Sequence, residues 1–212
     1  MKIRKPKLAG ELEADNLKEV LQRAISDQKD ISGFRFSDDC VEAQANALEF
    51  QNCLFENCRF GASKLTRTFF TDVVFQNCAL ANVDLTEGSF HRVEFRNCKM
   101  VGANFSQAVF GDVLWQDSDC QYLNLSVAKL KSSVFCASDL SWASIQESSL
   151  KAVEFHECKL LGVDFFHTPL EKLDFTSDQI DGIVVSGSEL KGAVVTAEQA
   201  CELSRLLGLL IK

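Results

Sequence analysis

Residues 50–75 read FQNCLFENCRFGASKLTRTFFTDVVF, and every fifth position in that stretch, Phe50, Phe55, Phe60, Leu65, Phe70 and Phe75, is large and apolar. The rule continues unbroken to Val195, so that thirty consecutive windows between 46 and 195 obey it. With 46% apolar residues in the chain, chance would give such a run with a probability on the order of 10⁻¹⁰. Two residues before each of these positions lies a second column of mostly small or β-branched residues, including Cys53, Cys58, Ser63, Thr68, Val73 and Cys78. A period of five fits neither a continuous helix nor a continuous strand, because both would rotate successive apolar residues off any single face. The chain must therefore turn once per window.

A second period says how many turns close a coil. Every twentieth residue from Phe55 gives Phe75, Phe95, Trp115, Phe135, Phe155 and Phe175, an unbroken aromatic column, so four windows make one coil and like side chains stack. Cys58, Cys78, Cys98 and Cys158 fall in one column of the small set, with Ser118 and Ser138 between them. Helical repeat arrays need longer units and hexapeptide β-helices a period of six. In the small column Asp178 conflicts with burial, because an unpaired carboxylate inside a core is costly, and a local distortion is expected there.

The windows Ala81-Asn82-Val83-Asp84-Leu85, Val101-Gly102-Ala103-Asn104-Phe105 and Leu161-Gly162-Val163-Asp164-Phe165 each end in a small residue, then Asp or Asn, then Leu or Phe. In this the chain resembles the pentapeptide-repeat family over residues 46–195. The resemblance implies an all-β solenoid, a right-handed quadrilateral β-helix. At a strand spacing of about 4.8 Å, seven and a half coils give a rod roughly 36 Å long.

A solenoid needs its ends covered. Leu17, Val20, Leu21, Ala24 and Ile25 follow helical spacing and predict an N-terminal capping helix within a basic leading segment, residues 1–30. The β-helix is expected over 31–195 with an irregular first coil, since Phe36 lies fourteen residues before Phe50. Residues 196–212 predict a C-terminal helix, with Thr196 as N-cap and a stop at Gly208. Leu203, Leu206, Leu207, Leu209, Leu210 and Ile211 supply more apolar surface than an end plug requires, and a contiguous apolar patch marks an interface. A two-fold pairing of identical ends, a homodimer, is the expected use.

The composition argues against an enzyme. His91, His156 and His167 lie at outward positions without ligand spacing, and the inward cysteines read as packing groups. Gly102, Gly162, Gly182, Gly187 and Gly192 fall two residues after core positions, where corners need them. No cofactor and no metal is expected. The nine cysteines lack a Cys-x-x-Cys pair, which suits reduced thiols and a cytoplasmic location; no stretch reads as a membrane span or a secretory signal. The repeat region carries 19 Asp and Glu against 12 Lys and Arg, an acidic surface that repels nucleic acid and attracts a basic partner.

The segment Gly192-Ala193-Val194-Val195, Glu198-Gln199-Ala200 and Leu206-Leu207-Gly208 is similar to the closing strand, helix and Leu-Gly ending of the Qnr and MfpA group within that family. The group resemblance implies a DNA-mimicking dimer that binds DNA gyrase and topoisomerase IV, inhibiting them or protecting them from fluoroquinolones or other gyrase poisons. This chain departs from the plasmid-borne members in having no register-breaking loop between 46 and 195. Duplex DNA carries about one charge per 1.7 Å, a density that a net of −7 over the repeat region cannot match, so mimicry is expected in patches. The outward acids Asp164, Glu171, Asp174 and Asp181, near the proposed dimer end, are the candidates, although Asp112, Asp117, Asp119 and Asp139 also point outward. The alternative reading is a structural or adaptor protein that binds another protein partner.

Overall fold

In a computed structural model, which describes residues 3–8, 10–27 and 29–209, the chain winds into a parallel β-solenoid of about seven turns, a quadrilateral β-helix with a short helix at each end. Strands β1 (Glu13–Ala14), β2 (Ile31–Ser32), β3 (Phe34–Ser37), β4 (Gln44–Asn46), β5 (Glu49–Glu56), β6 (Lys64–Thr66), β7 (Phe69–Gln76), β8 (Ser89–Arg96), β9 (Val109–Gln116), β10 (Lys129–Cys136) and β11 (Ser149–His156) are joined by tight corners. The main sheet runs β1-β3-β5-β7-β8-β9-β10-β11, with every pairing parallel.

The four-sided section follows from one backbone conformation repeated every five residues. Asn57, Arg67, Asp72, Asn77, Asn82, Glu87, Arg92 and Asn97 all have φ between 49° and 59°, a left-handed geometry costly for residues other than glycine. The ladder offsets that cost, because each corner N–H bonds to the next coil; Asn57 donates to the Gln76 carbonyl at 2.9 Å and Asn77 to that of Arg96 at 2.9 Å. Four sides result, typified by residues 53–56, 58–61, 63–66 and 68–71, here the first to fourth sides, each recurring every twenty residues.

Inside, the twenty-residue period becomes stacking. Phe55 and Phe75 lie 4.7 Å apart, Phe75 and Phe95 5.0 Å, Trp115 and Phe135 4.2 Å, all with nearly parallel planes. A neighbouring column, Phe50, Phe70, Phe90 and Phe110, repeats this at 4.9–5.1 Å and meets the first edge to face, as Phe70 meets Phe75 at 64°. The strand spacing of about 4.8 Å thus sets rings at a favourable stacking distance. The thiols of Cys58, Cys78 and Cys98 donate to core carbonyls at 3.4–3.5 Å. Burial pushes the Cys158 thiol up to about 11, which keeps it unreactive at neutral pH.

The irregular first coil is one residue short. Phe36 pairs with Phe55 and Cys40 with Arg59, nineteen residues apart, whereas Gln44 pairs with Lys64, twenty apart. The deletion therefore lies in the corner between Cys40 and Gln44, and Val41 fills the core there. At Asp178, by contrast, the expected distortion is absent: the bridge between Lys159 and Gln179 keeps the register. The Asp178 carboxylate accepts the Cys158 N–H at 2.7 Å, as the Ser118 and Ser138 hydroxyls accept the amides of Cys98 and Ser118 at 3.1 Å. The small column leaves one amide per coil for the next side chain to take, and a carboxylate can do so. The break falls eleven residues later. The His167 N–H, which by analogy with Glu147 would bond to a backbone carbonyl of the next coil, donates instead to the buried Glu189 carboxylate at 2.9 Å. That carboxylate also takes the amides of Ser186 and Gly187 at 3.0 Å and the Ser186 hydroxyl.

Both ends carry the expected helices. Helix α1 (Leu17–Asp27) buries Leu17, Val20, Leu21 and Ala24 and is capped by Asn16 and by the Asp39 carboxylate, which accepts the Leu17 amide at 2.9 Å. Helix α2 (Ala197–Ser204) begins at Thr196, whose side chain and that of Gln199 cap each other's backbone amides. Gln199 also reaches back to the carbonyls of Phe175 and Asp178 at 2.7 and 2.8 Å. A 3₁₀ turn, Arg205–Leu207, ends at Gly208 with φ 71°.

Candidate partner-binding surface

The four acids chosen from the sequence do not form a patch. By the twenty-residue register Asp174 lies on the first side, Asp181 on the second, Asp164 on the third and Glu171 on the fourth, so they share an end of the rod and no face. Two of them serve their own turns: Asp164 accepts the Phe166 amide at 2.9 Å and a hydrogen bond from Gln146, and Asp174 accepts the amide and hydroxyl of Thr176 at 2.9 and 2.7 Å. Glu171 and Asp181 are exposed.

Acids are gathered in mid-rod, along the corner between the first and second sides. Asp117, Asp119, Asp139 and Glu157 line one groove with Lys159. Asp119 and Asp139 are ladder neighbours, about 4.8 Å apart, flanked in the same ladder by Lys99 and by Lys159, which stands 3.7 Å from Asp139. Below it Asn97, Asn77 and Asn57 form an amide ladder at 2.8 and 3.2 Å that ends on Asp38, and Lys99 and Arg59 line the same groove.

Across the second side from these acids stand two aromatic rings that the sequence reading passed over. Tyr122 and Trp142 are 57% and 60% exposed, at left-handed corner positions with φ 57° and 63°. The indole lies flat over Gly162, where a Cβ would come within 2.5 Å of the ring, so the glycine is what lets the ring lie down. The signal was available, since Trp115 obeys the core period and Trp142 violates it. Ser141 fills the strip between, its hydroxyl held by Asp139 at 2.6 Å. Together these residues make a flat side with carboxylates along one edge and π faces along the other, both attractive to arginine and lysine.

The C-terminal end offers a different surface. An open apolar groove of about 420 Å³ separates α2 from the last coil, lined by Leu190, Ala193, Val195, Ala200, Leu203 and Leu206 among others. No residue of α2 is fully buried, and Leu206 and Leu209 are 47% and 55% exposed. Leu203 is half-buried against the core. Leu210 and Ile211 lie outside the described residues, as does the side chain of Leu207.

Among the described residues no group of three or more His, Cys, Asp or Glu is placed to hold a metal ion, and no helix is long and apolar enough to cross a membrane. His156 contacts Glu154 at 3.0 Å, and the His167 ring stacks on Phe166.

Comparison with known proteins agrees with the repeat. A family model described as a pentapeptide repeat region matches residues 88–165, and one for eight copies of the pentapeptide repeat matches 53–92. No curated protein sequence matches the chain. Among solved structures, a trypsin-treated variant of QnrB1, a plasmid-mediated fluoroquinolone resistance protein, is similar with a TM-score of 0.47 at 18% identity, over 94% of this chain and 96% of that one. HetL, a pentapeptide repeat protein involved in heterocyst differentiation regulation from the cyanobacterium Nostoc sp. strain PCC 7120, is similar with a TM-score of 0.25 at 13% identity, over 85% of this chain and 94% of that one. With the two family models together spanning 53–165, more than half of the chain, and a coil that closes every twenty residues, the protein belongs to the pentapeptide-repeat family.

Proposed function

We propose that the chain is a DNA-mimicking protein of the cytoplasm that binds the type II topoisomerases DNA gyrase and topoisomerase IV, inhibiting them, protecting them from fluoroquinolones or other gyrase poisons, or both. The observation that carries the reading is the cluster of Asp117, Asp119, Asp139 and Glu157 on one groove of the rod, with Asp119 and Asp139 in register. Its rungs repeat at about 4.8 Å, against about 3.4 Å per phosphate along one DNA strand, so a surface evolved to grip phosphates finds carboxylates at a comparable pitch. The acids sit in the middle of the rod, where a long basic saddle would lie across them.

The open groove at α2 supports a homodimer in which Leu203, Leu206, Leu207, Leu209, Leu210 and Ile211 of two copies meet. Two rods of roughly 36 Å each would then present twice the length. Purified gyrase, assayed for supercoiling with and without this protein and a fluoroquinolone, tests the reading: inhibition, or rescue from the drug, is expected, and Asp119→Lys with Asp139→Lys should abolish it. No effect on either activity would reject it. Tyr122 and Trp142 favour the second reading, an adaptor for another protein, because exposed Tyr and Trp are the residues on which protein interfaces most depend and DNA has no counterpart to them.

A further inference from the structure

The first side is already occupied. Residues Ile3–Leu8 run along the rod, across the corner between its fourth and first sides, and are held at two points. The Asp112 carboxylate accepts the Arg4 amide at 3.1 Å and its guanidinium at 2.9 and 2.6 Å. The Asp72 carboxylate accepts the Lys7 amide at 2.8 Å and is itself fixed by the Arg92 guanidinium at 2.5 and 2.6 Å. Asp72 and Asp112 occupy one corner column two coils apart, about 9.6 Å at the strand spacing. Arg4 and Lys7 are three residues apart, about 10 Å in an extended chain. The two spacings match, and Pro6 helps to set the match by disfavouring a helical Lys5.

The seat has an apolar component as well. Val74 and Val134 point out of the first side of the rod and stand apart from its core, yet both are buried, as is Glu94, which lies between them in the same column and pairs with Arg96; Ile3 and Pro6 of the arm are half-buried. Asp72 and Asp112 are each only 7% exposed. Burial alone would push the Asp112 carboxyl up, but the Arg4 guanidinium and amide outweigh it and hold it below the ordinary Asp value.

We propose that this side of the rod is a binding site for an extended basic polypeptide segment, and that residues 3–8 fill it as a tethered, exchangeable ligand that excludes such segments of other proteins. The recognition elements are an arginine for Asp112, a backbone amide three residues on for Asp72, and short apolar side chains for Val74 and Val134, which lie on either side of the buried Glu94. The tether to β1 is short, and a ligand so tethered acts at an effective concentration in the millimolar range. A competing segment at micromolar concentration is therefore shut out until the arm is released. The proposal does not depend on which partner the rest of the rod takes.

The test uses full-length protein and a fluorescent peptide with the sequence of residues 3–8, followed by anisotropy. Arg4 is exposed, so Arg4→Glu unlatches the arm without touching the core. The peptide should bind this variant at least tenfold more tightly than it binds the wild type, and more weakly as salt is raised. Adding Asp112→Asn should remove the gain. In parallel, hydrogen exchange at the Lys7 amide should be slow in the wild type and fast in Asp72→Asn. Equal binding to wild type and Arg4→Glu, no binding to Arg4→Glu, binding indifferent to Asp112→Asn, or a Lys7 amide that exchanges freely in the wild type would each overturn the proposal.

Discussion

The two ends of the rod are closed by helices of similar length to opposite degrees. Helix α1 drives Leu17, Val20, Leu21 and Ala24 into the first coil until all four are buried, and Asp39 of that coil caps it in return. Helix α2 buries no residue fully, hangs from the last coil by the two hydrogen bonds of Gln199, and leaves a groove beneath Leu203. The N-terminal end is finished within one chain. The other end keeps apolar surface in reserve, which is what a second copy would use, and in its last coil the Glu189 carboxylate takes amides that the backbone ladder leaves over. A helix at the end of a solenoid can thus be seated to very different depths.

The sharpest way to break this comparison is to empty both helices. Leu21→Ala should cost about 3 kcal/mol, as for a buried leucine that leaves a cavity, measured by urea unfolding. Glu189→Ala should follow with about 2–3 kcal/mol, because it strips a charged acceptor from buried amides. Burial alone would raise the Glu189 pKa, but the surrounding N–H and O–H donors outweigh it and set the carboxyl at about 2 against an ordinary 4.5. A depressed folded value contributes stability that is complete above about pH 4.5 and is lost as the pH falls toward 2; an acid titration of Glu189→Gln should lack that loss. Leu203→Ala, half-buried, should cost about 1 kcal/mol in the monomer, and sedimentation should show a weakened self-association that Leu21→Ala leaves intact. A Leu203→Ala penalty as large as that of Leu21→Ala, with no change in self-association, would erase the distinction between the ends.

The smallest effect separates two acids of the C-terminal end. Burial pushes the Asp178 pKa up, and the single N–H from Cys158 offsets only part of it. A raised folded value means that the penalty is absent below the ordinary 3.8 and grows as the pH rises through it, the reverse of Glu189. Asp178→Asn keeps an oxygen for Cys158 and removes the charge, so at neutral pH it should be neutral or stabilising by up to about 1 kcal/mol, in thermal or urea unfolding.

Most of the rod was legible because its two periods, five and twenty, are set by side chains that must all point inward. From Phe50 to Val195 the apolar residue of each window identifies both the depth and the side of its neighbours, and the caps announced themselves through Leu17 to Ile25 and Thr196. What the acids do was legible in principle and misread. Asp164, Glu171, Asp174 and Asp181 were chosen by nearness to one end, whereas their positions modulo twenty place them on four sides; the same arithmetic puts Asp119 and Asp139 one above the other. Asp178 was misjudged because burial was weighed without the unused Cys158 amide. The arm left no such trace, since an extended segment lying on a surface has no period and its partners, Asp72 and Asp112, look like any other corner acids.

The short register also governs the order in which the molecule can form. Nearly every ladder bond joins residues about twenty apart, a low contact order that favours rapid, stepwise closure. Because synthesis supplies the N-terminal end first, α1 and the nineteen-residue coil can form a template on which each later coil closes as it emerges. The arm is the exception: Arg4 is made before any part of the rod, yet its seat at Asp112 exists only after more than a hundred further residues have followed. Until then this basic segment has no seat on the nascent chain, and its docking marks the moment when half of the rod is complete.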